Sequence, residues 1–261
     1  MWILTTLTII ILETNFFMLS NKTLRNIAEY SRAYKSDLPF NHIVMDDFFR
    51  DDVIEKLLDE VEFIASNPSE VWRFEGSGEY DQHDAQVNKK QIYEFDNMLP
   101  TMQEVIKYLN SKQFLNIVTE ITGLQNLTHE SDNYTNAAYH QTGKDGRLEV
   151  HHDFNDSFIN PNLFRQINLL VYLNSYWDSQ WDGDLELWYK NMSGPCKKIS
   201  PIANRIVMFN IDKAPHGHPH PLRCPEGIQR KSLALYYYNN DKPQFPIVNR
   251  AIWSGEIDTL E

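Results

Sequence analysis

Cysteine is nearly absent. Cys196 and Cys224 are the only two, and no Cys-x-x-Cys pair occurs, so neither a disulfide framework nor a cysteine zinc site can be built. They read as free thiols. Glycine (10) and proline (12) are too scarce for a collagenous or low-complexity chain. Basic charge is in deficit, with 24 Lys+Arg against 36 Asp+Glu, a net charge of −12 and a pI near 5.2. Counterion release by neutralised phosphates cannot then drive binding, and nucleic acid is not expected as the main partner. Long apolar runs are missing too. The stretch Trp2 to Leu12 covers 11 residues, too few to cross a bilayer as a helix.

That amino-terminal stretch also lacks a preceding basic residue and a following small-x-small site, both expected of a secretory signal. It reads in three ways: a degenerate signal or anchor, sequence upstream of a working start at Met18, or a strand-like extension. Residues 1–20 are accordingly set apart from a single domain over 21–261. Asn21, Asn126, Asn133, Asn155 and Asn191 head Asn-x-Ser/Thr sequons, usable only in a secretory lumen. The expected location is cytoplasmic, with the lumen as the alternative if residues 1–20 act as a signal. A membrane is expected as a partner only through those residues.

What is present divides the domain into two patterns. Over about residues 46–123 the apolar residues recur at helical spacing. Val53, Leu57, Val61 and Ile64 form one stripe, and Phe114, Ile117, Val118 and Ile121 another, with Gly123 placed to end its helix. Thr101-x-x-Glu104 has the form of a capping box opening a helix through Met102, Val105, Ile106 and Leu109. His42–Phe49 reads as a short strand turning into a helix. Over about 134–240, short β-branched and aromatic runs alternate with Gly, Asp, Asn and Pro, the pattern of an antiparallel sandwich or barrel. The fold class is α+β.

Among the nine histidines, one His-x-Asp triplet occurs, His151-His152-Asp153. On a strand, residues two apart share a face, so His151 and Asp153 project together. A histidine from another strand would complete a two-His, one-carboxylate set with open positions, a geometry suited to non-haem Fe(II). The triplet alone is near chance. Its setting is more specific: GRLEVHHDFN, RQINLLVYLN, WDGDLELW and PHGHPHPLRCPEGIQRKSLALYYY, in this order and spacing, closely resemble the Fe(II)/2-oxoglutarate-dependent dioxygenases of the prolyl 4-hydroxylase-like group. The resemblance runs from about Tyr139 to Asn239, with a looser likeness at NHIVMDDFF.

The resemblance implies a double-stranded β-helix (jelly roll) with a supporting layer of N-terminal helices. It also implies Fe(II), 2-oxoglutarate and O₂, with ascorbate as a possible reductant. His151, Asp153 and His216 match the iron ligands. Arg230 and Ser232 match an Arg-x-Ser element whose Arg pairs with the far carboxylate of 2-oxoglutarate. Tyr172 matches a tyrosine helping to hold that carboxylate, and Asn168 shares its strand face. Retention of Asp153 implies hydroxylation rather than halogenation. The implied substrate is a prolyl residue of a peptide or protein, with a free amino acid or other small metabolite as alternative; a non-catalytic jelly-roll binder is the other class.

The segment APHGHPHP departs from the family by offering three histidines and a longer interval to Arg230. His216 is preferred for its place after the Arg205–Asn210 strand, His218 is the fallback, and His220 reads as solvated. Trp177 and Trp181, in a loop, are candidates for a substrate mouth. His152 is expected to face away from the metal, and Lys231 to be a solvated charge facing away from Arg230. Tyr236–Tyr238 are expected in the core, Arg165 in a structural salt bridge, and TGKDGRLE as a mobile lid.

Overall fold

The computed structural model describes residues 18–67, 73–75, 85–212, 214–244 and 251–253; the readings on Trp2 to Leu12 lie outside them. Five of its helices pack as a layer. α1 (Asn21–Arg25) and α2 (Ile27–Ser36) precede β1 (His42–Met45), which leads into α3 (Asp51–Ser66); α4 (Pro100–Leu109) and α5 (Lys112–Thr122) follow later. Val53, Leu57, Val61 and Ile64 of α3 are buried, as their spacing predicts. Ser111 caps α5 by accepting from the Phe114 N–H, and Gly123 closes it at φ 83°.

Three expectations about this half are corrected. Among the described residues, helices begin at Asn21, ahead of the range the periodicity indicated, and Leu19 already lies in the core. A hairpin, β2 (Arg73–Glu75) and β3 (Gln86–Ile92), interrupts the helical part. Thr101 does not cap α4: Pro100 starts the helix one residue earlier, and the N–H groups of Thr101 and Met102 donate instead to the Glu60 carboxylate of α3, at 2.6 and 2.8 Å. A carboxylate at a helix N-terminus meets both orphan donors and the dipole, so α3 and α4 are tied together.

The remaining strands are β4 (Ala137–His152), β5 (Phe164–Tyr172), β6 (Leu185–Trp188), β7 (Pro195–Ile199), β8 (Ile206–Asn210), β9 (His216–His218), β10 (Arg230–Asn239) and β11 (Ile252–Trp253). They form one curled antiparallel sheet of order β1-β8-β5-β10-β4-β9-β6-β7, with β3 and β11 added to β4. This is a jelly roll. TGKDGRLE is no lid: it lies within β4, which pairs with β3 and β10 on either side.

Period-two alternation sorts the two faces of the sheet. Ile167, Leu169 and Val171 of β5, with Leu233, Leu235 and Tyr237 of β10, join the helices in the main core. Asn168 and Leu170, with Ser232, Ala234 and Tyr236, face a cavity on the other side. Tyr236 is therefore not a core residue; Tyr237 lies in the main core, while Tyr238 is fully buried with its hydroxyl on Arg165. Among the described residues, no helix is long and apolar enough to cross a membrane.

Candidate metal and cosubstrate site

A cavity of about 400 Å³ opens between β4, β5 and β10 on one side and β9 on the other. At one end, His151, Asp153 and His216 present one ligand atom each, all within 4.8 Å of one another. Two local features aim them. The β4–β9 register shifts between Leu148 and His151, which re-aims the end of β4, and His151 pairs directly with His216. Nδ1 of His151 lies 2.9 Å from the Glu149 carbonyl, and Nδ1 of His216 lies 2.9 Å from that of Ala214. A carbonyl only accepts, so both Nδ1 atoms carry a proton, and the Nε2 atoms are the nitrogens turned towards Asp153. Those Nε2 atoms stand 3.5 and 3.6 Å from the Asp153 carboxylate. Two imidazoles and one carboxylate so arranged fit a divalent iron ion.

The carboxylate is itself held. Asn168 Nδ2 donates to Asp153 Oδ2 at 2.9 Å, and the Tyr236 hydroxyl, cross-strand from Asn168, reaches Oδ1 at 3.4 Å. Burial pushes the Asp153 carboxyl up, but His216, His151 and Arg165 outweigh it and hold the group well below the usual carboxylate range. Asn168, expected at the cosubstrate, lines the cavity and also orients the Asp153 carboxylate. Losing a hydrogen bond to a charged group costs about 1.5–3 kcal/mol, so Asn168→Ala is expected to weaken Mn(II) affinity about tenfold or more. Electron paramagnetic resonance of bound Mn(II) measures it, and unchanged affinity would refute the role.

Arg165 is in no salt bridge among the described residues. Its guanidinium lies between the rings of Phe154 and Tyr236, 3.6 Å from each centroid, and donates to the Tyr238 hydroxyl through Nε and Nη2. A register shift between Tyr237 and Tyr238 turns Arg165 to the cavity side despite its odd position in β5. Its Nη1 is buried with no hydrogen-bond partner among the described residues.

At the other end lies Arg230, 6 % exposed and on the cavity wall with Ser232. Its Nε donates to the Gly183 carbonyl at 2.6 Å and its Nη2 to the Tyr172 hydroxyl at 3.2 Å. Tyr172 is fully buried behind it. Trp177 and Trp181 do not line the cavity. Trp177 is buried against Leu222 and Cys224, its ring 5.5 Å from that of Trp181, and a Cβ on Gly183 would sit 2.7 Å from Leu222 and 3.0 Å from Trp177. These residues brace the turn that holds Arg230, and Gly183, at φ 82°, is needed there. His152 is buried and, as expected, is not among the residues lining the cavity, and His220 is exposed, 3.3 Å from Glu186. Both cysteines are free. Trp253 of β11, which the sequence reading missed, stacks 5.1 Å from His151.

Burial lowers the titration of His42, His140, His216 and His218; that of His216 falls to about 4. In the unfolded chain these groups titrate near 6.5. Between those values the unfolded state binds more protons, so the histidine contribution to stability is present above pH 6.5 and is lost as pH falls towards 4. The thermal midpoint of the metal-free protein is expected to drop from pH 7 to pH 5; a flat profile would contradict these burials.

A profile of the 2OG-Fe(II) oxygenase superfamily matches residues 136–238. No curated protein matches the sequence. Solved structures with a similar fold include a prolyl hydroxylase from Trichoplax adhaerens in complex with a hypoxia-inducible-factor peptide fragment. It is 20 % identical, with a TM-score of 0.59 over 84 % of this chain and 93 % of that one. A Pseudomonas putida prolyl-4-hydroxylase is 14 % identical, with a TM-score of 0.54 over 83 % and 100 %. A viral collagen prolyl hydroxylase from Paramecium Bursaria Chlorella virus-1 is 13 % identical, with a TM-score of 0.50 over 76 % and 95 %. The segment that matches the superfamily, residues 136–238, contains His151, Asp153, His216 and Arg230, so the similarity spans both ends of the cavity.

Proposed function

We propose that the chain hydroxylates an unactivated carbon of a prolyl residue in a peptide or protein, while 2-oxoglutarate and O₂ become succinate and CO₂, one oxygen atom going to each organic product. The carrying observation is the single cavity with the triad at one end and the buried Arg230–Tyr172 pair at the other. His151, Asp153 and His216 would hold the iron, and Arg230 the far carboxylate of the keto acid. Bound iron, keto acid and O₂ together supply the oxidising power. The chain's own residues position the reacting carbon and exclude water.

A peptide substrate is supported by the rim. Phe154 lines the cavity and stacks 4.8 Å from Phe158, which is 67 % exposed beside Ile159 at 55 %. An extended chain crossing this rim would cover apolar surface, and a backbone carbonyl entering the cavity would meet the unpartnered Nη1 of Arg165. The solved prolyl hydroxylases of similar fold, one with a peptide bound, support the same reading. The test loads the protein with iron anaerobically, then adds 2-oxoglutarate, O₂ and proline-containing peptides, with free amino acids in a parallel arm. Mass spectrometry is expected to find one added oxygen on peptidyl proline. Oxygen gained by free amino acids alone would overturn the peptide reading, and no 2-oxoglutarate consumption in either arm would support a non-catalytic binder.

A further inference from the structure

Two imidazoles in the cavity have no part in the assignments above. His218 lies on β9, paired with Leu148, and His140 lies on β4, paired with Ser232. Both line the cavity. His218 is 4 % exposed, its Nδ1 is buried without a hydrogen-bond partner, and its ring makes no hydrogen bond to any described residue. The His140 ring likewise makes none. A buried polar group left unserved is costly, and a ligand that serves it recovers that cost as affinity.

Their position names the ligand. His216 and His218 share one face of β9, about 6.6 Å apart along the strand. His216 belongs to the triad and His218 does not, so His218 stands one step further along the cavity. His218 lines a pocket with Gly183, whose carbonyl holds Arg230, and His140 lies cross-strand from Ser232, two residues from Arg230 on the same face. An imidazole offers at least one N–H donor in either charge state.

The geometry points to His218, with His140 beside it, as further donors to the carboxylate that Arg230 takes, so that this pair discriminates a dicarboxylate keto acid from one lacking the far carboxylate. The inference rests on the 2-oxoglutarate reading above.

The test uses Mn(II)-loaded protein under nitrogen, titrated calorimetrically with 2-oxoglutarate and with 2-oxobutyrate, which lacks the second carboxylate. His218→Ala is expected to weaken 2-oxoglutarate binding about tenfold or more and to leave 2-oxobutyrate binding unchanged. His218→Gln, which keeps an N–H donor, is expected to recover most of the loss, and His140→Ala to shift the same preference in the same direction. Mn(II) affinity, read separately by electron paramagnetic resonance, is expected to stay at the wild-type value. Should His218→Ala fail to fold, His218→Gln and His140→Ala decide through the ratio of the two keto-acid affinities. An unchanged ratio in all variants overturns the inference. So does equal loss of both keto acids, or a collapse of Mn(II) affinity in the His218 variants. Wild-type protein that binds neither keto acid overturns the cosubstrate reading itself, and the role of this pair with it.

Discussion

Alanine at His151 or at Asp153 is expected to abolish 2-oxoglutarate decarboxylation and to weaken metal binding beyond the roughly 10–100-fold typical of losing an outer-shell partner. Each residue contributes one of the three ligand atoms that the described residues gather within 4.8 Å, so its loss leaves two of them. His216→Ala is expected to match them. His220→Ala is expected to be nearly neutral, because that ring is more than half exposed and faces Glu186 rather than the triad. The fold should survive all of these, since the three ligands stand on the cavity side of the sheet, away from the main core. Mn(II) affinity, succinate formation and a thermal melt of each variant test the set. Near-normal decarboxylation by either His151→Ala or Asp153→Ala would sink the iron assignment.

The sheet half of the fold was legible because its strands are short, β-branched and punctuated, and because residues two apart share a face. The same rule placed Arg230 with Ser232 and also reaches Tyr236, whose cavity position was therefore readable; the run Tyr236–Tyr238 obscured it by looking uniformly aromatic. Arg165 was not readable in this way. Its orientation depends on a register shift opposite Tyr237 and Tyr238, a property of strand pairing rather than of local pattern. β3, with the sequence QVNKKQI, carries too little apolar alternation to announce a strand, and it forms because the β4 edge accepts it. The cap on α4 was missed for a similar reason: Glu60 lies 41 residues from Thr101, so sequence proximity favoured a local box that the long-range carboxylate displaces. Trp177 and Trp181 looked like mouth residues because they sit in a loop, yet the loop folds inward to brace Gly183.

The cosubstrate anchor yields the other large effect. Arg230 and Ser232 share the cavity face of β10, whereas Lys231 lies on the opposite face. Lys231 is not the solvated charge its position implied: it is 6 % exposed and ion-paired with Glu62 of α3, linking the sheet to the helical layer. Arg230 Nε is engaged by the Gly183 carbonyl and Nη2 by the Tyr172 hydroxyl, which fixes the plane of the guanidinium before any ligand arrives. A planar fork so fixed can take a carboxylate through its terminal nitrogens, while a lysine ammonium cannot hold both protein acceptors and the carboxylate in one plane. Removing one member of a buried charge pair costs about 3–5 kcal/mol. Arg230→Ala is therefore expected to raise the KM for 2-oxoglutarate at least about a hundredfold, since each 1.4 kcal/mol is about a factor of ten. Arg230→Lys should fall between it and wild type. Lys231→Ala is expected to leave that KM unchanged and to lower the thermal midpoint instead, through lost packing and the lost tie to α3. Initial rates of succinate formation across a 2-oxoglutarate titration, paired with melts of the three variants, separate the two outcomes. If Lys231→Ala raised KM while Arg230→Ala only lowered the melting midpoint, the strand would be out of register by one residue and the anchor would belong to the other face.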